Sequence, residues 1–113
     1  MEKRRIGLLA LSDEKLEGKL DSLTRRKRGG LTVTTIKELG TILTHERIRM
    51  LHIIKEKKPS SLSELAVMLG RDWKNVSVDI NYLFTLGLVE LRQNKKNKKP
   101  YVKYNEIIVR VSI

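Results

Sequence analysis

Apolar residues recur along this chain in two rhythms, one suited to strands in its outer parts and one suited to helices through its middle. Ile6–Leu11 (IGLLAL) is a short unbroken apolar run of the length of a buried strand. Ser12 then offers an N-cap, with Asp13, Glu14 and Glu17 in the first turn, where the helix dipole favours carboxylates. Leu16, Leu20 and Leu23 follow at helical spacing, interrupted at Gly18, and Arg25 to Arg28 close the helix before Gly29-Gly30. Leu31–Thr35 (LTVTT) alternates apolar and hydroxyl residues and predicts a second strand, so residues 1–35 read as β-α-β. Ile36 to Leu43 predicts a short helix, and Thr44 caps another whose Ile48, Leu51 and Ile54 share one face. Pro59 stops it, because proline disfavours helical geometry at Lys58 and lacks the N–H.

The next thirty residues carry the densest pattern. Ser61 and Glu64 form the S-x-x-E capping box at the head of a helix that turns Leu62, Leu65, Met68 and Leu69 inward. Ala66 is small enough for a second helix to cross closely, and Gly70 suits a turn that needs positive φ. Asp72 caps that second helix, Val76, Ile80 and Leu83 are its inner stripe, and Gly87 ends it. Leu88–Leu91 and Tyr101–Tyr104 predict two strands, with Gln93–Lys99 as the tip between them and Asn94 and Asn97 suited to turns. A helix-turn-helix followed by a basic hairpin is the order of parts of a winged helix. Last, Ile107, Val109, Val111 and Ile113 alternate with Ile108, Arg110 and Ser112 in a period-two strand. It pairs with the N-terminal strands or with another protomer; the pattern leaves both open. The fold class is α+β: an N-terminal β-α-β extension (1–35) and a winged helix-turn-helix (36–113).

Charge sharpens the picture. The 113 residues carry a net charge of +11, and Arg92 to Lys103 hold six Lys or Arg with no Asp or Glu. Such a density suits a polyanion, since each phosphate neutralised releases condensed counterions. With Val76 at the origin of a helical wheel, Lys74, Val78, Asn81 and Thr85 point away from the core, and Asn75, Ser77 and Tyr82 lie on the flanks. Lys74 suits a guanine edge or a phosphate, Asn81 an adenine, and Val78 a thymine methyl. The candidate DNA-binding set is Arg71, Lys74, Asn75, Ser77, Val78 and Asn81 on the helices, with Lys95, Lys96, Lys98 and Lys99 gripping phosphates. Trp73 and Phe84 fall about 60° and 80° from Val76 on the wheel, which assigns both to the core side.

Other chemistries find less support. The chain has no cysteine, which removes disulfides and thiolate metal sites. His45 and His52 share a helix face but lie two turns apart, and His52 with Glu56 gives two ligands where a site needs more. Asp13, Glu14, Glu17 and Asp21 read as helix-dipole and surface charge, so neither catalysis, a cofactor nor a metal is expected. Ile6–Leu11 is too short to span a membrane, and a cytoplasmic protein is expected. Two rivals to DNA stand: a winged helix used for protein contact within a larger complex, and RNA binding. A single recognition helix buries too little surface to select a site, so a homodimer is expected, built from the N-terminal unit and the last strand.

Residues 36–107 resemble a family of small archaeal winged-helix proteins regarded as transcriptional regulators of the MarR/ArsR-like group. The resemblance rests on Leu43-Thr44, Ser63-Glu64-Leu65-Ala66, Leu69-Gly70-Arg71-Asp72, Asn75-Val76, Leu86-Gly87-Leu88-Val89 and Pro100 with Tyr104-Asn105-Glu106-Ile107. It implies regulation of transcription through double-stranded DNA. One position departs: such proteins often carry a basic residue before the Asp of the recognition helix, and here Val78 precedes Asp79. That departure shifts expected affinity toward the wing.

Overall fold

The computed structural model describes residues 5–11, 27–28 and 31–112. The described residues form an α+β fold of strands β1 (Arg5–Leu11), β2 (Lys27–Arg28) and β3 (Leu31–Thr35), helices α1 (Ile36–Ile42), α2 (His45–Lys57), α3 (Leu62–Leu69) and α4 (Trp73–Thr85), and strands β4 (Glu90–Asn94), β5 (Asn97–Tyr101) and β6 (Glu106–Ser112). They fall into two compact units. The first is residues 1–44 with 104–113, and the second is 45–103. This differs from a division at 35/36, because α1 and the last strand belong with the N-terminal sheet.

The first unit is built on a sheet of order β2-β3-β1-β6. Strand β1 lies inside it, parallel to β3 from Gly7↔Leu31 to Leu11↔Thr35 and parallel to β6 from Arg5↔Glu106 to Leu11↔Ser112. Its apolar run is explained by that place: Ile6, Leu8 and Ala10 are fully buried. Arg5 and Glu106, opposite each other in the register, form an ion pair. Of the two pairings open for the last strand, the sheet contains the one with β1. Lys27 and Arg28, expected to close a helix, instead pair antiparallel with Thr32 and Leu31 as β2. The rest of that expected helix falls on residues 12–26, outside the described residues. Helix α1 starts where Thr35 caps it, its side chain accepting from the Glu38 amide at 2.9 Å.

The second unit packs α2 on α3, α3 on α4, and β5 on α2 and α3. Its buried side chains are Met50, Leu51 and Ile54 of α2, Leu65, Ala66 and Leu69 of α3, Val76, Ile80 and Leu83 of α4, and then Leu86, Leu88 and Val89. Full burial of each large aliphatic side chain stabilises the fold by about 1.5–3 kcal/mol before conformational entropy is subtracted. Met50 takes the core place expected of Ile48, which is exposed, and Met68 is exposed as well. Helix α2 ends at Lys57, and Lys58 turns the chain with φ 49° ahead of the buried Pro59.

Candidate nucleic-acid interface

Local hydrogen bonding defines the α3–α4 pair. Ser61 Oγ accepts from the Glu64 amide at 3.1 Å. The Glu64 carboxylate reaches back one residue further than a capping box requires, accepting from Ser60 N at 3.2 Å and Ser60 Oγ at 3.0 Å. Gly70, at φ 65°, closes α3: its amide donates to Val67 O and the Arg71 amide to Ala66 O, both at 3.1 Å. This is the Schellman arrangement, which satisfies two carbonyls left open at a helix end. Asp72 caps α4 through the Lys74 amide at 3.2 Å. The end of α4 repeats the device at Gly87 (φ 79°), with Gly87 N to Phe84 O and Leu88 N to Leu83 O, both 3.0 Å.

With Val76, Ile80 and Leu83 buried, α4 exposes Lys74, Asn75, Val78, Asn81 and Thr85. Val78 is 65% exposed. Thr85 Oγ1 donates 2.8 Å to the Asn81 carbonyl, a backbone bond that leaves the Asn81 amide facing outward to act. Two members of the candidate set sit elsewhere. Ser77 is half-buried and its hydroxyl oxygen is buried with no hydrogen-bond partner, so it does not join the outward face. Arg71 is turned onto the protein: its Nη1 lies 2.9 Å from Asp79 Oδ2 and its Nε 3.9 Å from Glu46.

Asp79 is the centre of this network. Its other oxygen meets Arg47 Nη2 at 3.3 Å, and the Arg47 guanidinium lies 4.4 Å from the Tyr82 ring centre. Arg49 adds a 3.5 Å bond to the Leu69 carbonyl. The cluster fastens α2, the α3–α4 turn and α4 together with charge that is thereby withdrawn from ligand contact. Helix α4 is left with one exposed cation, Lys74. Sequence spacing did not find this cluster, since Arg47 and Asp79 are joined only through the packing.

Trp73 and Phe84 also differ from expectation. They are 51% and 50% exposed, so the flank of α4 presents two aromatic rings where core residues were expected. A wheel gives the angle of a residue, but a flank is buried only if a neighbouring element covers it.

The hairpin is shorter-tipped than the charge pattern predicted. β4 pairs antiparallel with β5 from Glu90↔Tyr101 to Asn94↔Asn97, and only Lys95 and Lys96 lie between. The expected strands at 88–91 and 101–104 shift because Leu88 and Val89 are buried at the end of α4, Leu88 in its closing turn. Lys95 takes φ 58°, and Gln93 Nε2 donates 2.6 Å to its carbonyl. Asn94 Nδ2 donates 3.1 Å to Ser60 O, fixing the hairpin to the segment before α3. Lys98 and Lys99 are strand residues, not tip residues.

Two of the six cations share one carboxylate. Glu90 meets Lys103 at 3.1 Å and Arg92 at 3.3 Å. The hydrogen bond from Lys103 is the main reason its carboxyl is held below the usual carboxylate value, against partial burial and with help from Arg92. Arg92 and Lys99 face each other in the register and both lean over Tyr101, at 4.0 and 5.4 Å from the ring centre. Lys95, Lys96 and Lys98 are exposed and, among the described residues, are paired with no carboxylate.

The sequence profile of the HVO_A0114 family matches residues 42–109. This chain belongs to the HVO_A0114 family. The matched HVO_A0114 segment holds the whole second unit and runs into β6. No curated protein and no solved structure matches the chain. Among the described residues no three His, Cys, Asp or Glu converge as metal ligands, and no helix is long and apolar enough to cross a membrane.

Proposed function

We propose that residues 45–103 act as a winged helix-turn-helix that binds double-stranded DNA and regulates transcription, with the protein working as a homodimer. In this reading α4 lies in the major groove, where Lys74, Asn75, Val78 and Asn81 meet base edges. The β4–β5 hairpin is the wing, and Lys95, Lys96 and Lys98 hold phosphates, with Lys99 beside them. The observation that carries the proposal is the combination, within one compact unit, of an exposed helix face and a hairpin whose Lys95, Lys96 and Lys98 are exposed and, among the described residues, paired with no carboxylate. Arg71 and Arg47 are spent on Asp79, so affinity comes mainly from the wing and selectivity from the uncharged side chains of α4. Two-fold pairing doubles the surface that reads a site.

Exposed Trp73 and Phe84 support a second reading, since single-stranded RNA is recognised by stacking bases on aromatic rings. Fluorescence-anisotropy titration against the duplex upstream of the protein's own coding sequence (the upstream duplex), a scrambled duplex and a single-stranded RNA, each over a salt series, separates the two. Preference for the upstream duplex with a steep salt slope is the expected result. Preference for the RNA favours the stacking reading, and no binding at low salt removes both.

A further inference from the structure

The two edges of the four-stranded sheet are unlike. One is β2, two residues long and wholly basic (Lys27-Arg28). Shortness and positive charge are the usual means by which an edge strand avoids pairing with another chain. The other is β6, seven residues (EIIVRVS) without lysine or proline. Its Ile108, Val109 and Val111 are 44%, 39% and 49% exposed. Because Ile108 and Val109 point to opposite faces, apolar surface is open on both sides of this edge.

We propose that β6 is the interface of the homodimer, pairing antiparallel with β6 of a second copy about a two-fold axis through Ile108. The register follows from the two charges in the strand. Antiparallel pairing centred on Ile108 sets Glu106 opposite Arg110 of the second copy and Arg110 opposite its Glu106. It also opposes Ile108 to Ile108, and Ile107 to Val109 on the other face. A shift by one or two residues either way sets Arg110 against Asn105, Tyr104, Ile107 or Ile108 instead. Arg5 Nε holds one oxygen of Glu106, Oε1, and a carboxylate has a second oxygen to offer a new partner. Opposite charges directly across a ladder stabilise it and like charges weaken it. The joined sheet has the order β2-β3-β1-β6-β6-β1-β3-β2, and the long apolar edge disappears.

The inference takes the homodimer from the reading above and supplies its interface; it does not depend on DNA. The test uses the full chain without DNA. The protein has no cysteine, so Ile108→Cys introduces a single thiol. Facing residues of an antiparallel pair bring Cα atoms to about 4.5–5.5 Å, within disulfide reach. Sedimentation velocity is expected to show a dimer, and mild oxidation to cross-link Ile108→Cys well ahead of Val109→Cys and Val111→Cys. Arg110→Glu and Glu106→Arg should each weaken self-association roughly tenfold, and mixing the two should restore a dimer. Circular dichroism checks that each variant is folded. A monomer at tens of micromolar would overturn both the homodimer and this interface. A dimer in which position 108 cross-links no faster than 109 or 111, and in which the mixed charge variants do not pair, would overturn the interface alone.

Discussion

Neutralising the three exposed hairpin lysines tests the wing assignment most directly. The perturbation is Lys95→Asn, Lys96→Gln and Lys98→Gln in one variant. Asparagine is used at 95 because that residue has φ 58°, a conformation asparagine tolerates better than most. Lys99 is left in place because its ammonium leans on the Tyr101 ring. Each of the three lysines is exposed and free of carboxylate partners among the described residues, so each is able to take one phosphate. Losing three phosphate contacts per protomer flattens the slope of log K against log salt by about 2.7 units, at roughly 0.9 per phosphate. Between 50 and 200 mM salt the parent therefore loses about fortyfold more affinity than the variant, per protomer engaged. The assay is anisotropy of a labelled duplex at four or more salt concentrations. The ratio of upstream to scrambled duplex should be kept, because phosphate contacts carry no sequence information. Asn81→Ala should do the reverse, lowering that ratio with the slope kept. An unchanged slope in a triple variant of unchanged melting temperature would refute the wing as the phosphate grip.

Three further outcomes concern the fold that holds the site. Asp79→Asn leaves Arg47 and Arg71 facing a neutral amide, and with these side chains only 15–26% exposed the loss should be about 2 kcal/mol in urea unfolding; a loss under about 0.5 kcal/mol would mean the network is ornamental. Gly70→Ala should cost about 1 kcal/mol, and Gly70→Asn less, because φ is 65° while no atom crowds the place of a Cβ; equal stability of all three would sink the backbone argument. Glu90 has its folded pKa lowered, so the unfolded chain binds the proton more readily and the stabilisation is fully present above the usual carboxylate value. It is lost as pH falls through the lowered value, so the gap in urea midpoint between the parent and Glu90→Gln should close in acid; a gap that widens would contradict the Lys103 and Arg92 pairing.

What the sequence made legible was local. Ser61, Gly70, Asp72 and Gly87 act on amides and carbonyls within five residues, and each does so in the structure as its residue type suggests. The inner stripe Val76, Ile80 and Leu83 is likewise buried as spaced. What depended on distant neighbours was not legible. Trp73 and Phe84 have the wheel angles of half-core residues, yet about half of each stays exposed. Arg71 looks like a free cation at a helix start until Asp79, one helix face away, claims it. The lysines mark out a tip over Gln93–Lys99, whereas the register is fixed by the closing turn at Lys95-Lys96 and by Asn94 holding Ser60. The alternation of the last strand marks a strand, but alternation does not say whether a strand sits inside a sheet or at its edge.

The pairing of β1 with β6 also sets an order of events in time. The second unit is continuous in the chain, 45–103, so every contact within it joins residues of one uninterrupted stretch. The first unit is split around it, and β1 gains its β6 neighbour only when residues 106–112 arrive. Contacts of short sequence separation form fast and those closing long loops form slowly. During synthesis the helices and hairpin can therefore be complete while Ile6, Leu8 and Ala10 still wait for one side of their sheet. The DNA-reading half of the proposed function would exist before the half that joins two copies.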